Sequence, residues 1–213
     1  MNTTAFDDAF ARCPLIAILR GLTPDEAVPV GMTLVQAGFS IIEVPLNSPQ
    51  PFESIRLLAE ELEGQAIIGA GTVLSPSDVD AVAEAGGTVI IAPNTDASVI
   101  ERSVKQGLVA IPGVATPTEA FAALRAGASA LKLFPAEGSS PAMLKAMRTV
   151  LPQDLRLLPV GGITPETMGP WLAAGAAGFG LGSALYCPGS SPIKVGNLAS
   201  KFVATLSLWR SRF

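Results

Sequence analysis

Short runs of apolar residues alternate with longer stretches in which apolar positions recur every three or four residues, and this alternation covers almost the whole chain. Residues 4–12 read as a short amphipathic helix ahead of the repeating part. The run 15–19 then reads as a buried strand ending at Arg20-Gly21. Thr23-Pro24-Asp25-Glu26 predicts the start of a helix reaching Ala37-Gly38, with a capping threonine, proline in the first position and acids in the first turn. The unit repeats. Strands are predicted at 40–44, 66–70, 88–92 (stopped by Pro93), 108–111 (stopped by Pro112-Gly113), 128–134 (ending at Pro135), 156–160 and 177–181. Between them fall helices near 51–63 and 96–106, helices opened by Ser75-Pro76-Ser77-Asp78, Thr116-Pro117-Thr118-Glu119 and Thr164-Pro165-Glu166, and a closing helix near 192–209. Eight strand-then-helix units, spaced by roughly 20–30 residues, predict an α/β fold of the (β/α)8 TIM-barrel type with a short N-terminal helix. An open doubly wound sheet is the competing architecture, less favoured by so even a repeat and by the Gly-Ser turn after the last strand. No linker or low-complexity segment interrupts the pattern, so residues 1–213 are expected to form a single barrel domain.

Composition narrows the class. With 213 residues, 49% hydrophobic and 15% charged, the chain can bury a full core but has no apolar run approaching a membrane span. A net charge of −4 without a basic tract argues against nucleic acid as a partner. Met1-Asn2-Thr3-Thr4 lacks the basic start and apolar block of a signal peptide, so a cytoplasmic protein without membrane partners is expected. The sequence contains no histidine, which excludes Ser-His-Asp and Cys-His machinery and the usual His-containing metal sites. Cys13 and Cys187 are too few and too far apart for a disulfide framework or zinc knot. No metal and no cofactor is expected, which leaves lysine, carboxylates, hydroxyls and backbone amides to do any chemistry.

Lys132 stands inside an apolar strand with leucine on both sides. Burying an ammonium ion is costly unless it is paired or loses its proton, so such a lysine is either an ion-paired or water-reaching strand end or an amine kept partly neutral as a nucleophile. In barrels of this type the working face is the C-terminal end of the strands. That rule gathers Arg20, Glu43, Thr72, Pro93, Lys132, Gly161, Gly162, Gly182 and Ser183. Glu43 follows two isoleucines, where burial would raise its pKa toward a working acid/base value; a salt bridge to Arg20 or Lys132 is the alternative. Gly161-Gly162 and Gly182-Ser183 follow the seventh and eighth strands, where backbone amides and a following helix start can receive a phosphate, although either pair alone would also suit a tight turn. Arg20 can hold a carboxylate bidentately and Thr72 can add a hydroxyl. The set suits a small substrate with a phosphate at one end and an acid at the other, and a lysine imine that serves as electron sink for breaking a C–C bond. An isomerase or epimerase with Glu43 as base, and a barrel that binds a sugar phosphate without chemistry, use the same residues.

Five motifs in order carry a resemblance over nearly the whole chain: Arg20-Gly21 with Thr23-Pro24-Asp25-Glu26-Ala27, Glu43-Val44-Pro45-Leu46-Asn47-Ser48-Pro49, Gly69-Ala70-Gly71-Thr72-Val73-Leu74, Lys132-Leu133-Phe134-Pro135, and Val160-Gly161-Gly162. Together they resemble the KDPG/KHG aldolase family. The phosphogluconate members usually carry threonine and arginine after the glutamate and threonine before the Gly-Gly. Pro45, Asn47 and Val160 resemble the galactonate-type members instead. The resemblance implies a class I aldolase that cleaves 2-keto-3-deoxy-6-phosphogalactonate to pyruvate and D-glyceraldehyde 3-phosphate, with the phosphogluconate or 4-hydroxy-2-oxoglutarate activity as the alternative. It implies a Schiff base on Lys132 and Glu43 as general base and acid. The substrate carboxylate would meet Arg20 and Thr72, and the phosphate would meet Gly161, Gly162, Gly182 and Ser183. Pro93, Phe134 and Val160 complete the expected substrate-binding set. It further implies a phosphorylated 2-keto-3-deoxy sugar acid as the small-molecule partner, a place in galactonate catabolism, and a homotrimer.

Overall fold

The computed structural model describes residues 2–211, with side chains from residue 4 onward. Strands and helices alternate: α1 (Asn2–Arg12), β1 (Leu15–Ile18), α2 (Pro24–Gln36), β2 (Ile41–Pro45), α3 (Pro51–Glu61), β3 (Ile67–Gly71), α4 (Pro76–Glu84), β4 (Val89–Ile91), α5 (Ala97–Lys105), β5 (Val109–Ile111), β6 (Gly113–Val114), α6 (Pro117–Arg125), β7 (Leu131–Leu133), α7 (Pro141–Arg148), β8 (Leu157–Pro159), α8 (Met168–Ala173), β9 (Phe179–Leu181) and α9 (Pro192–Arg210). Local chemistry explains most helix starts. The Ser75 and Thr116 hydroxyls accept from the amides of Asp78 and Glu119, whose carboxylates accept in turn from the cap amides, and proline follows each cap.

All strand pairings are parallel. The strands form a six-stranded sheet in the order β5-β4-β3-β2-β1-β9 and a three-stranded sheet in the order β6-β7-β8. Hydrogen bonds cross both gaps between these sheets. At one, Val160 bridges Gly180 and the Ala177 amide donates to the Leu157 carbonyl at 3.0 Å. At the other, Ser129 and Lys132 donate to the carbonyls of Ala110 and Pro112, both at 2.9 Å.

Two elements depart from the sequence-based expectation. The strand at 108–111 is not simply stopped by Pro112: the chain resumes beyond it as β6. Proline removes one N–H, but its carbonyl still accepts from Lys132, so pairing continues past the interruption. The sheet is therefore divided into six and three strands, not a single run of eight. Thr164-Pro165-Glu166 does not open a helix either. Residues 164–167 close a turn, with the Thr164 amide donating to the Thr167 hydroxyl at 2.9 Å and the Thr167 amide to the Thr164 carbonyl at 3.0 Å, and α8 begins at Met168.

Strand alternation sorts the core into two sides. Leu15, Ala17, Ile42, Val44, Ile68, Leu131 and Leu133 pack against the helices in one cluster. Ile16, Ile41, Val89, Ile91, Val109, Ile111 and Leu158 point to the concave side, where Phe6 and Phe10 of α1 join them at the N-terminal ends of the strands. Arg156 lies over both rings, with its guanidinium 5.3 and 4.8 Å from their centroids, and pairs with Asp7 at 2.6 Å. The N-terminal helix thus fills one end of the concave side and leaves the C-terminal strand ends for the site. No helix among the described residues is long and apolar enough to cross a membrane.

Candidate active site

Two ionisable side chains are forced onto the concave side by the period of their strands. Lys132 stands between Leu131 and Leu133, which both face the helices, so its stem points the other way; its backbone is in register with Gly113 and Leu158. Glu43 stands likewise between Ile42 and Val44, in register with Ile18 and Gly69. Lys132 is 6% and Glu43 2% exposed. Burial pushes the Lys132 amine down, toward its neutral form; the Glu43 carboxylate opposes this and the Arg20 charge adds to it. Burial raises Glu43 to a pKa of about 7, against the lowering influence of Lys132 and Arg20. Lys132 is thereby drawn toward the neutral form an amine nucleophile requires, and Glu43 is brought to a pKa near neutrality, where it can both take and return a proton.

The neighbours shape both groups. The Lys132 Nζ lies 4.5 Å from the centroid of the Phe134 ring, two residues along the same strand exit. Gly71 ends β3 beneath Glu43: a Cβ there would sit 1.9 Å from the Glu43 Oε2, so only glycine leaves room for the carboxylate. Among the described residues, that oxygen has no hydrogen-bond partner. Thr72 follows in the left-handed region at φ 58°, a conformation that costs a non-glycine residue roughly 1 kcal/mol or more.

A cavity of about 610 Å³ opens at these strand ends. Of the residues expected from the sequence, Arg20, Lys132, Phe134, Val160, Gly161, Gly162, Gly182 and Ser183 lie on its wall. Glu43 and Thr72 lie off the wall, Glu43 beside Lys132 and Arg20 electrostatically and Thr72 next to Gly71. Pro93 is also off the wall. Its carbonyl instead crowds Gly113, the register partner of Lys132, so closely that a Cβ on Gly113 would lie 2.2 Å from it. The wall also contains residues that were not expected as site members: Asn47, Glu137, Tyr186, Cys187 and Pro188 among them. Asn47 stood in a quoted motif, and its side-chain oxygen accepts from the Arg20 Nη1 at 2.6 Å. Tyr186 and Pro188 fall in the loop after β9, which no periodicity marks.

The glycine pairs do not stand beside the helix starts expected there. Gly161 and Gly162 both take positive φ, 114° and 64°. The Glu137 side chain lies against the pair, where a Cβ on Gly161 would be 2.0 Å from its Oε2. Behind Gly161-Gly162 comes the turn 164–167, and behind Gly182-Ser183 a single turn closed by Leu185 and Tyr186 onto the Gly182 carbonyl, with α9 starting only at Pro192. Any anion held here would be bound by loop amides and not by the end of a long helix.

Comparison with known proteins bears on this geometry. A family model described as KDPG and KHG aldolase matches residues 6–200. The chain is 49% identical over 192 residues to the 2-dehydro-3-deoxy-6-phosphogalactonate aldolase of Escherichia coli K12, covering 90% of this chain and 94% of that protein. A solved structure described as native KDPGal is 48% identical with a TM-score of 0.91, covering 92% of this chain and 96% of its own. A KDPG aldolase from Legionella pneumophila, solved with pyruvate captured at low pH as a covalent carbinolamine intermediate, is 28% identical with a TM-score of 0.79, covering 97% of each chain.

Proposed function

The chain belongs to the KDPG and KHG aldolase family, and from that premise we propose that it is a class I aldolase cleaving 2-dehydro-3-deoxy-6-phosphogalactonate to pyruvate and D-glyceraldehyde 3-phosphate. The observation that carries the reading is the pair of buried ionisable groups on the concave side, an amine pushed toward neutrality beside a carboxyl with a pKa of about 7.

The neutral Lys132 amine adds to the C2 carbonyl, and loss of water from the resulting carbinolamine gives an imine, protonated on nitrogen. Glu43, acting through a water, removes the proton of the C4 hydroxyl. The C3–C4 bond breaks, its electron pair moves to the iminium nitrogen as an enamine, and the C4 fragment leaves as the aldehyde. Glu43 returns the proton to C3, and water hydrolyses the pyruvate imine to free Lys132. Arg20, with Asn47 fixing one of its nitrogens, and Thr72 receive the substrate carboxylate. The amides of Gly161, Gly162 and Ser183, with Gly182, receive the phosphate. Phe134, Val160 and Pro93 are proposed to shape the middle of the site, Pro93 from behind Gly113.

Substrate identity rests on the 49% identical relative and on Pro45, Asn47 and Val160. The test is kcat/KM for the two C4 epimers, the galactonate and the gluconate. Preference for the galactonate epimer is expected, and preference for the gluconate epimer would overturn the substrate assignment in favour of the phosphogluconate activity. The proposal extends to architecture and assembly. The two sheets make up one (β/α)8 barrel domain, with β5 and β6 as one strand kinked at Pro112; the hydrogen bonds across both gaps support this. The protein is proposed to be a cytoplasmic homotrimer in galactonate catabolism. Light scattering is then expected to give three chains of 21.8 kDa, about 65 kDa in all, and a 21.8 kDa particle would contradict it.

A further inference from the structure

Glu26 lies outside the reacting groups, yet its carboxylate joins three parts of the chain that frame the cavity. Its Oε2 accepts from the Thr23 amide at 3.1 Å, the Thr23 hydroxyl at 2.9 Å and the Tyr186 hydroxyl at 3.3 Å. Its Oε1 accepts from the Gly189 amide at 3.2 Å. The first two bonds are local capping at the start of α2 and need no more than one oxygen. The other two reach residues 160 and 163 positions away, in the loop that follows β9.

That loop carries the phosphate end. The Tyr186 amide donates to the Gly182 carbonyl at 3.0 Å, so Tyr186 belongs to the same turn as Gly182 and Ser183. Tyr186 is 3% exposed and, with Pro188, forms part of the cavity wall. On the other side, α2 follows directly from the Arg20-Gly21 turn. Gly21 has φ 82°, and a Cβ there would lie 2.6 Å from the Pro188 Cγ, so the turn and the loop are in close contact. Burial raises the Glu26 pKa, but its hydrogen bonds from Thr23, Tyr186 and Gly189 outweigh this and hold it below the usual value, leaving a carboxylate that accepts on both oxygens. The Tyr186 hydroxyl is pushed up by burial and by the Glu26 charge, so it remains a donor.

We infer that Glu26 and Tyr186 are positioning residues that tether the Gly182-Ser183 loop to the Arg20 turn and so set the span between the phosphate and carboxylate ends of the substrate. The inference rests on the aldolase reading for its substrate and on the hydrogen bonds above for its geometry. Tyr186→Phe keeps the ring and its packing and removes only the bond to Glu26; Glu26→Gln replaces one accepting oxygen by a donor. Neither residue touches the atoms that react.

The test compares kcat/KM for the phosphorylated keto-acid and for the same keto-acid without its phosphate, with the affinity of the protein for inorganic phosphate as a second readout. In both variants the ratio of the two kcat/KM values is expected to fall about tenfold, through KM more than kcat, as for loss of one charge-assisted hydrogen bond. Inorganic phosphate is expected to bind more weakly to a similar degree. Equal losses on both substrates, or an unchanged ratio with unchanged phosphate affinity, would overturn the tether and leave only a structural cap. Should the wild-type protein turn over neither keto-acid, the aldolase reading fails, and weaker phosphate binding by Tyr186→Phe still reports on the tether.

Discussion

Glu43 can act as a base only after it has lost a proton that burial retains to about pH 7. Activity is therefore expected to rise with pH up to about 7, roughly tenfold per unit on the acid side, and then to level off. Glu43→Gln should lose that limb along with activity, by about 10²–10⁴-fold, while still permitting some imine formation. Stability runs the other way. The folded pKa lies above the ordinary value of 4.5, so the native state is not penalised below that value and loses stability as pH rises toward about 7. Thermal or urea unfolding of Glu43→Gln should accordingly show a gain over wild type at pH 8 that is absent at pH 4, with an upper bound of about 3 kcal/mol. No pH dependence in that difference would mean that Glu43 is not desolvated. The two residues central to this chemistry were legible in the sequence because a charge inside an apolar strand is conspicuous. Gly71 was not legible in that role, since nothing in a pattern tells which glycine faces which carboxylate.

At the scale of single elements, β3 supplies the site with space. A methyl group at Gly71 would fall 1.9 Å from the Glu43 Oε2 and 2.4 Å from its Cδ, so the carboxyl must move by an ångström or more. Gly71→Ala is expected to cut kcat by about 10²-fold, for a misplaced group, and to lower stability by about 1–3 kcal/mol. Activity within twofold of wild type would contradict the geometry. The strands and most caps were readable because their causes are local: apolar runs, and Ser or Thr followed by proline and an acid three residues on. Thr164-Pro165-Glu166 has the threonine and proline but its acid only two residues on; it closes a turn onto the Thr167 hydroxyl, and α8 starts later than the cap pattern predicts. Pro112 shows the converse, a residue that ends pairing by its missing N–H yet continues it through its carbonyl. The tether from Glu26 to Tyr186 and Gly189 lies beyond any local signal, because it depends on how the last loop folds back on the first.

For the whole molecule, parallel pairing brings one group from each of several distant strands to a common end, and α1 fills the other. Arg20, Glu43 and Lys132 converge there while separated by most of the chain, and each alters the charge state of another. That convergence is the physical content of the aldolase assignment, and its central claim is that Lys132 forms an imine with a 2-keto acid. The most direct measurement is to incubate the protein with pyruvate and sodium borohydride and locate the added mass by peptide mapping. The account predicts a stable adduct on Lys132, which is absent in Lys132→Ala together with all cleavage. Folded protein that gains no adduct, or gains it on another lysine, would contradict the account.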